Sequence, residues 1–468
     1  MQPDSAAGSR RRSILLATLG AVLIGLIALT LLVNAQRPVE RDPAAAAAPS
    51  AAIPSPATRS STPSAPPSVA PQASTTSVTS SGPPASEPPT DPLPSPSPSE
   101  ASPDPSAPGS SSGPTPSEPA PSPAPSAPVD LTPSDELQMR LVTEITGRIN
   151  PKSVEASQNG LFFAQNNVYR HTITVYDRDF ELVKTLRDSI VLADWGYPEY
   201  PERVRGGPVE AAFAPDGRFV YVTNRTMYGP GFPRPAPLDS VCSPASDIDR
   251  SFVVEYDVGT LEKARVFQVG SLPKDLTVTP DGTTLLVSNW CSFDVSVVDL
   301  ATGQEVRRIE TGPYPRGIVV DPTSTFAYVA HLGSDHIARV HLESGRMRQI
   351  RDVGPSPRDV LMSPDGRFLY VSLDHGGGVV KVDVAQERVI GRVATGREPR
   401  SMTMAPDGRS IYVVNYDSGT ASKIGTRAMK VLQTVDTGYH PIGITYDNAT
   451  RQVWISTYPG TIRVYQEE

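Results

Sequence analysis

The apolar residues of this 468-residue chain fall into three regimes. From Ile14 to Val33 they form one uncharged run of 20 residues, ILLATLGAVLIGLIALTLLV. As a helix it would be about 30 Å long, enough to cross a bilayer. From 38 to 128 there is neither a helical nor a strand period, only Pro, Ser, Ala and Thr with scattered charges and no aromatic residue. From about residue 139 onward, short runs rich in Val, Ile, Tyr and Phe alternate with turn residues, the pattern of successive β-strands.

The strand-like runs keep a strict register. Five units open on Gly-x-x-Pro, at Gly270, Gly312, Gly354, Gly396 and Gly438, each 42 residues after the last. A turn follows, such as Pro280-Asp281-Gly282, Pro364-Asp365-Gly366 or Pro406-Asp407-Gly408, and then a run such as LLVSN (285–289), AYVAH (327–331) or IYVVN (411–415). Proline presets φ, aspartate bonds the nearby backbone and glycine accepts positive φ, so these triplets are turns with a mechanism. Two earlier units end their runs at Asn166 and Asn224. Their wider spacing marks insertions at 189–206 and 227–249. Seven units of this length predict an all-β, seven-bladed propeller with four strands per blade. We denote the strands A to D, with A following Gly-x-x-Pro. The last unit stops after its C strand, and MRLVTEITG (139–147) reads as a D strand, so the N-terminal edge of the body is expected to complete the last blade.

The run VYVTN (220–224) and the repeated Pro-Asp-Gly turns resemble the YVTN-repeat β-propeller family, which is similar to lactonase-type propellers. The resemblance covers about residues 139–468. It implies the fold and leaves activity open, because propellers host enzymes, binding modules and scaffolds alike.

Composition divides the chain further. All aromatic residues lie between Phe162 and Tyr465, while residues 38–128 hold 27 of the 51 prolines. A segment of that kind cannot bury enough apolar surface to offset chain entropy and is expected to be a disordered linker. The expected organisation is a cytoplasmic N-terminus (1–13), a transmembrane signal-anchor helix (14–33), a linker (34–136) and the propeller (137–468). Arg10, Arg11 and Arg12 before the apolar run, against Arg37 and Arg41 after it, favour a cytoplasmic N-terminus. The alternative is a signal peptide cleaved near Val33-Asn34-Ala35, which would make the protein secreted. Either reading places the propeller outside the cytoplasm, tethered to the cell membrane in the first case. After residue 128 there are 36 Lys and Arg against 42 Asp and Glu, a balance that argues against nucleic acid as a partner.

Four features carry candidate chemistry. The residue after the repeated proline is basic in five units, as Lys152, Lys274, Arg316, Arg358 and Arg400, and is Val209 and Ile442 in the other two. Propeller geometry would gather these five around one channel mouth, where they would either take a carboxylate or phosphate ligand or pair with acids such as Asp275 and Asp359. Cys242 and Cys291 lie in loops of adjacent blades on one face and are expected to form a disulfide, with two free thiols as the other possibility. The histidines His331, His336, His375 and His440 show no metal-ligand spacing, and no metal or cofactor is expected. Trp195, Tyr197, Tyr200, Tyr228 and Phe232 in the insertions break the repeat register and are expected to mark a recognition surface. No nucleophile elbow, phosphate loop or HExxH is present.

Two functions follow as expectations. The first is a membrane-tethered binding or scaffold module whose partner is a cell-envelope polymer, a peptide, a protein or a small anionic ligand. The second is a lactonase-like hydrolase working in the channel, with Glu210 and His440 as candidate groups to activate water. The sequence leans toward the first and leaves oligomeric state open.

Overall fold

Each Pro-Asp-Gly triplet forms the tight turn its residues demand. In blade 5 the Asp365 carboxylate accepts bonds from the Arg367 amide (3.1 Å) and the Ser363 hydroxyl (2.6 Å), and Gly366 sits at φ +70°. The turn reverses strand A, Pro357–Met362, into strand B, Phe368–Leu373. Strands C and D, Gly378–Asp383 and Arg388–Ala394, complete an antiparallel sheet in sequence order. Strand D alternates between exposed and half-buried residues, as an outer strand should, whereas strand B is almost wholly buried.

This unit recurs seven times in a computed structural model that describes residues 132–167, 170–237 and 240–468. Blades 1 and 3 to 6 are four-stranded sheets in sequence order. Blade 7 takes its outer strand from the start of the body: Met139–Ile145 pairs antiparallel with Thr461–Glu467, Met139 opposite Glu467 and Ile145 opposite Ile462. The seven-bladed fold and its N-terminal closure are those the repeat predicts. The segment before that strand already packs on the disc, because the Ser134 hydroxyl donates to Asp407 (2.7 Å) in the A–B turn of blade 6. The propeller's contacts therefore start a few residues ahead of the boundary expected at 137. The expected membrane helix and most of the linker lie outside the described residues. Among the described residues, no helix is long and apolar enough to cross a membrane.

The repeated strand-B aromatics are blade core: Tyr221, Tyr328, Tyr370, Tyr412 and Trp454 are all buried. Trp454 of blade 7 stacks on Phe162 of blade 1 with ring centroids 3.7 Å apart, joining the two ends of the ring.

Blade 2 departs from the pattern through its insertions. Its A and B strands lengthen to Arg203–Phe213 and Phe219–Tyr228, and a fifth strand, Ser189–Val191, pairs with Arg203–Arg205. The aromatic residues here pack inward, Phe232 buried and the others half-buried. Tyr200 stacks on Phe232 at 4.7 Å, both meet Phe252 edge-on, and the Tyr197 hydroxyl donates to the Val266 carbonyl. Tyr228 lies edge-on to His171, and Trp195 packs against the same cluster. The expectation that these rings form a recognition surface is corrected: they fasten the insertions to the blade. Phe252 on strand C supplies the apolar ground they pack on.

Candidate functional site

The A strands surround the central channel, and each carries the same irregularity. In all seven A–B pairs the register shifts just after the repeated proline, as between Pro273 and Asp275 or Pro357 and Val360. A bulge re-aims the residue it contains. It falls on or beside the position that holds Lys152, Lys274, Arg316, Arg358 and Arg400, while Val209 and Ile442 occupy the equivalent buried places in blades 2 and 7.

The five cations are close enough to act on one another. The Lys152 ammonium is held well below its usual range first by burial and then by Arg316, Arg400, Arg358 and Lys274. Lys274 is depressed in the same way, by burial and then by Arg316, Arg225, Arg358 and Arg400. Burial, with Arg400 and Arg316 beside it, brings Arg358 down to about 9.

Their bonding divides the ring. Arg358 pairs with Asp374 (2.7 Å) and Arg400 with Glu398 (2.8 Å), both acids being on loops of this face. Arg400 also lies over the Tyr416 ring, its Cζ 3.3 Å from the ring centroid. Arg316 donates to the Lys274 carbonyl (3.0 Å), and Lys274 donates to the Ser240 hydroxyl (3.2 Å) over the Trp290 ring. Neither Asp275 nor Asp359 is the ion-pair partner the sequence suggested for these arginines. Among the described residues, Lys152, Lys274 and Arg316 have no carboxylate within ion-pair distance.

One step deeper, the channel changes sign. Glu155, Glu210, Asp275 and Asp359 join Arg316 and Arg358 around a cavity of about 290 Å³. Two of the four acids staple adjacent blades. Asp275 accepts from the Leu276 amide (2.8 Å) of its own strand and the Ile318 amide (3.2 Å) of the next blade. Asp359 repeats this with the Val360 (2.8 Å) and Met402 (2.7 Å) amides. Two glycines let the A strands close in: a Cβ on Gly317 would stand 2.7 Å from Asp359 Cα, and one on Gly443 2.7 Å from Ser153 Cα.

Among the described residues, Glu155 and Glu210 have no such amide pair. Burial raises Glu155 well above the ordinary carboxyl range, reinforced by Glu210, Asp275 and Asp359. Burial brings Glu210 up to about 7, opposed by Arg316, Ser153 and Lys152. Asp275 and Asp359 are raised by burial as well. The channel thus holds protonatable carboxyls under a cationic rim. Sequence reading missed Glu155, which sits four residues after its proline, whereas the other three acids sit two after theirs. It also missed Asp374 and Glu398, whose loop positions carry no repeat signal.

The remaining candidates separate. Among the described residues, no three of His, Cys, Asp and Glu are placed to hold a metal ion. His331 is buried and held down to about 4 by that burial, with Nδ1 2.9 Å from the Pro313 carbonyl oxygen. His440 stacks on Tyr416 (3.9 Å) and Tyr439 (3.6 Å) and does not line the cavity, whereas Glu210 does. Cys242 and Cys291 form a disulfide with a Cα–Cα distance of 5.4 Å. Next to it the Trp290 indole donates to the Ser240 carbonyl (2.8 Å), so the bridge also fixes the loop that carries the Lys274 contact.

Comparison with known proteins agrees with this architecture. Hydrazine synthase of Kuenenia stuttgartiensis is similar in structure with a TM-score of 0.53, at 18% identity, over 69% of this chain and 97% of that one, a likeness of fold alone. Comparison with curated proteins finds no match. The model of a family described as lactonase, 7-bladed beta-propeller, matches residues 196–308 and 309–429. With seven blades, a cationic channel mouth and half its length matched, the chain belongs to the lactonase family of seven-bladed β-propellers.

Proposed function

We propose that the protein is a membrane-tethered propeller outside the cytoplasm that binds a small carboxylate- or phosphate-bearing ligand at the channel mouth. The observation that carries this reading is the convergence of Lys152, Lys274 and Arg316, which among the described residues have no carboxylate within ion-pair distance, each lysine being depressed by burial and then by its cationic neighbours. A bound anion would relieve that repulsion in a funnel where fields are weakly screened. The uncharged run Ile14–Val33 supports the tether, and the disulfide supports an oxidising compartment. The test is thermal shift of the full chain with gluconate and with inorganic phosphate. Stabilisation should be lost in Arg316→Ala. Equal stabilisation of both proteins would remove the site.

A second reading, lactone hydrolysis, is favoured by Glu210, a carboxyl near 7 that shares the cavity with Arg316. Glu210 in its ionised form would take a proton from water as the oxygen adds to the lactone carbonyl, with Arg316 facing the developing oxyanion. The ring C–O bond would then break, and the same proton would pass to the departing oxygen, giving a hydroxy acid. Turnover of gluconolactone lost in Glu210→Gln, with gluconate binding retained, would support hydrolysis over binding alone.

A further inference from the structure

A larger cleft, of about 820 Å³, lies away from the channel in the seam between blades 7 and 1. Its wall on the blade 1 side is one face of the outer strands, where Thr172 stands opposite Arg187 and Thr174 opposite Thr185. The far wall is the end of the closing strand and the loop after it, through Ile145, Thr146 and Arg148. Four arginines from four separate segments border this cleft: Arg148, Arg170, Arg187 and Arg205. All four are exposed, and among the described residues none has a carboxylate within ion-pair distance.

Two other seams of the molecule differ. In the seam between blades 2 and 3, Arg250 is paired with Glu305, and Arg308 with Asp294 and Glu305. Between blades 6 and 7, Arg463 is held by Glu144 and Asp436. Among the described residues, two acids border the cleft between blades 7 and 1. Glu181 lies at the C–D turn of blade 1, at the far end from the arginine-bearing loops. Asp188 is buried, points at Gly206 and Asn224, and is pushed up to about 7 by that burial, so at neutral pH much of its charge is absent. A chain with net charge −8 therefore keeps four unneutralised guanidinium groups around one opening.

We propose that this cleft is a second binding site, distinct from the channel, for an anionic glycan: a polyhydroxylated chain carrying carboxylate or sulfate groups. Guanidinium forks match such groups bidentately, and four of them spread along a cleft suit charges repeated along a polymer. The cleft also presents the hydroxyls of Thr146, Thr172 and Thr185, which among the described residues have no side-chain hydrogen-bond partner and complement sugar hydroxyls. The lining mixes these polar groups with the apolar side chains of Ile145, Phe180 and Leu182, so an acidic peptide is the competing occupant, and polyglutamate tests it.

The full chain is titrated with oligogalacturonate, with a heparin fragment, with neutral dextran and with polyglutamate. The expected result is binding of oligogalacturonate or heparin but not dextran. Affinity should fall at least tenfold in Arg148→Gln/Arg187→Gln, remain in Arg316→Ala and weaken with added salt. Failure of both acidic glycans to bind, or equal binding of dextran, overturns the site. Loss in Arg316→Ala alone would place the anion in the channel and overturn it too. Polyglutamate binding as tightly as the glycans would mean that the cleft takes acidic peptides, and the glycan assignment falls. The arginines are exposed, so the melting temperature of the double variant should match wild type. If it does not, Arg170→Gln/Arg205→Gln provides the same reading from the other two segments.

Discussion

The Lys423 ammonium donates to the Glu467 carboxylate where neither side chain reaches solvent. Lys423 also donates to the Leu137 carbonyl (2.7 Å), and Tyr412 and Tyr446 donate to the same carboxylate at 2.5 and 3.0 Å. One buried knot thus joins blade 6, the last residues of the chain and the segment entering the closing strand. Removing one partner leaves an uncompensated charge in the interior. Lys423→Met should cost about 3–5 kcal/mol in denaturant unfolding. Lys423→Met/Glu467→Leu should cost less than the single change, because the stranded carboxylate is gone.

Glycines 317 and 443 let neighbouring A strands approach. A methyl group at either would meet backbone of the next blade at 2.7 Å, which cannot swing aside as a flexible side chain would. Gly317→Ala is expected to destabilise by roughly 1–3 kcal/mol. It should also weaken gluconate binding, since Gly317 lines the cavity between Arg316 and Asp359. Thermal melts and titration of the same sample would check both effects.

Glu210 keeps its proton to about 7 in the fold, against an ordinary value of 4.5. The folded state binds more protons between those values, so stability from this group is full below 4.5 and is lost as pH rises through 7. The loss amounts to about 3 kcal/mol at most. Glu210→Gln should remove this component: the difference in unfolding free energy between variant and wild type should grow from about pH 5 to pH 8, in favour of the variant. A difference that stays flat would show that Glu210 titrates normally.

Lys152 and Lys274 are depressed, so the cationic rim discharges at a pH below that of ordinary lysines. Gluconate affinity should therefore decline with rising pH earlier than the ordinary lysine value of 10.5 would dictate. Lys152→Arg, which keeps its charge, should extend binding to higher pH.

The Cys242–Cys291 bridge joins residues 49 apart in sequence. Its removal is expected to cost about 3 kcal/mol, read as a lower denaturant midpoint for Cys242→Ser/Cys291→Ser. Because Ser240 lies in the tethered loop and contacts Lys274, gluconate affinity should change as well.

Much of this was legible in the chain. The 42-residue spacing of Gly-x-x-Pro, kept in five units, and the recurring turns before each strand B are local chemistry, so blade number, strand order and the closing strand could be read directly. The cysteine pair could be read for the same reason, since register alone put Cys242 and Cys291 on adjacent loops. What could not be read depends on direction. The bulge after each proline decides which way Lys274 and Asp275 point, and it is a product of pairing geometry. The guanidinium partners Asp374 and Glu398 sit in loops outside the repeat. The insertion aromatics were misread because their partner, Phe252, looks like any strand residue until the sheet is assembled.

The closing strand has a mechanical consequence. Thr132 to Gln138 enter the disc on the side of the A–B turns, opposite the cationic mouth, and Met139–Ile145 then runs toward the mouth. A pull from the N-terminus, balanced by a ligand held at the mouth, would act along the strand axis. It would load the pairing with Thr461–Glu467 in shear, all bonds sharing the force, and the ring would resist opening at its own seam.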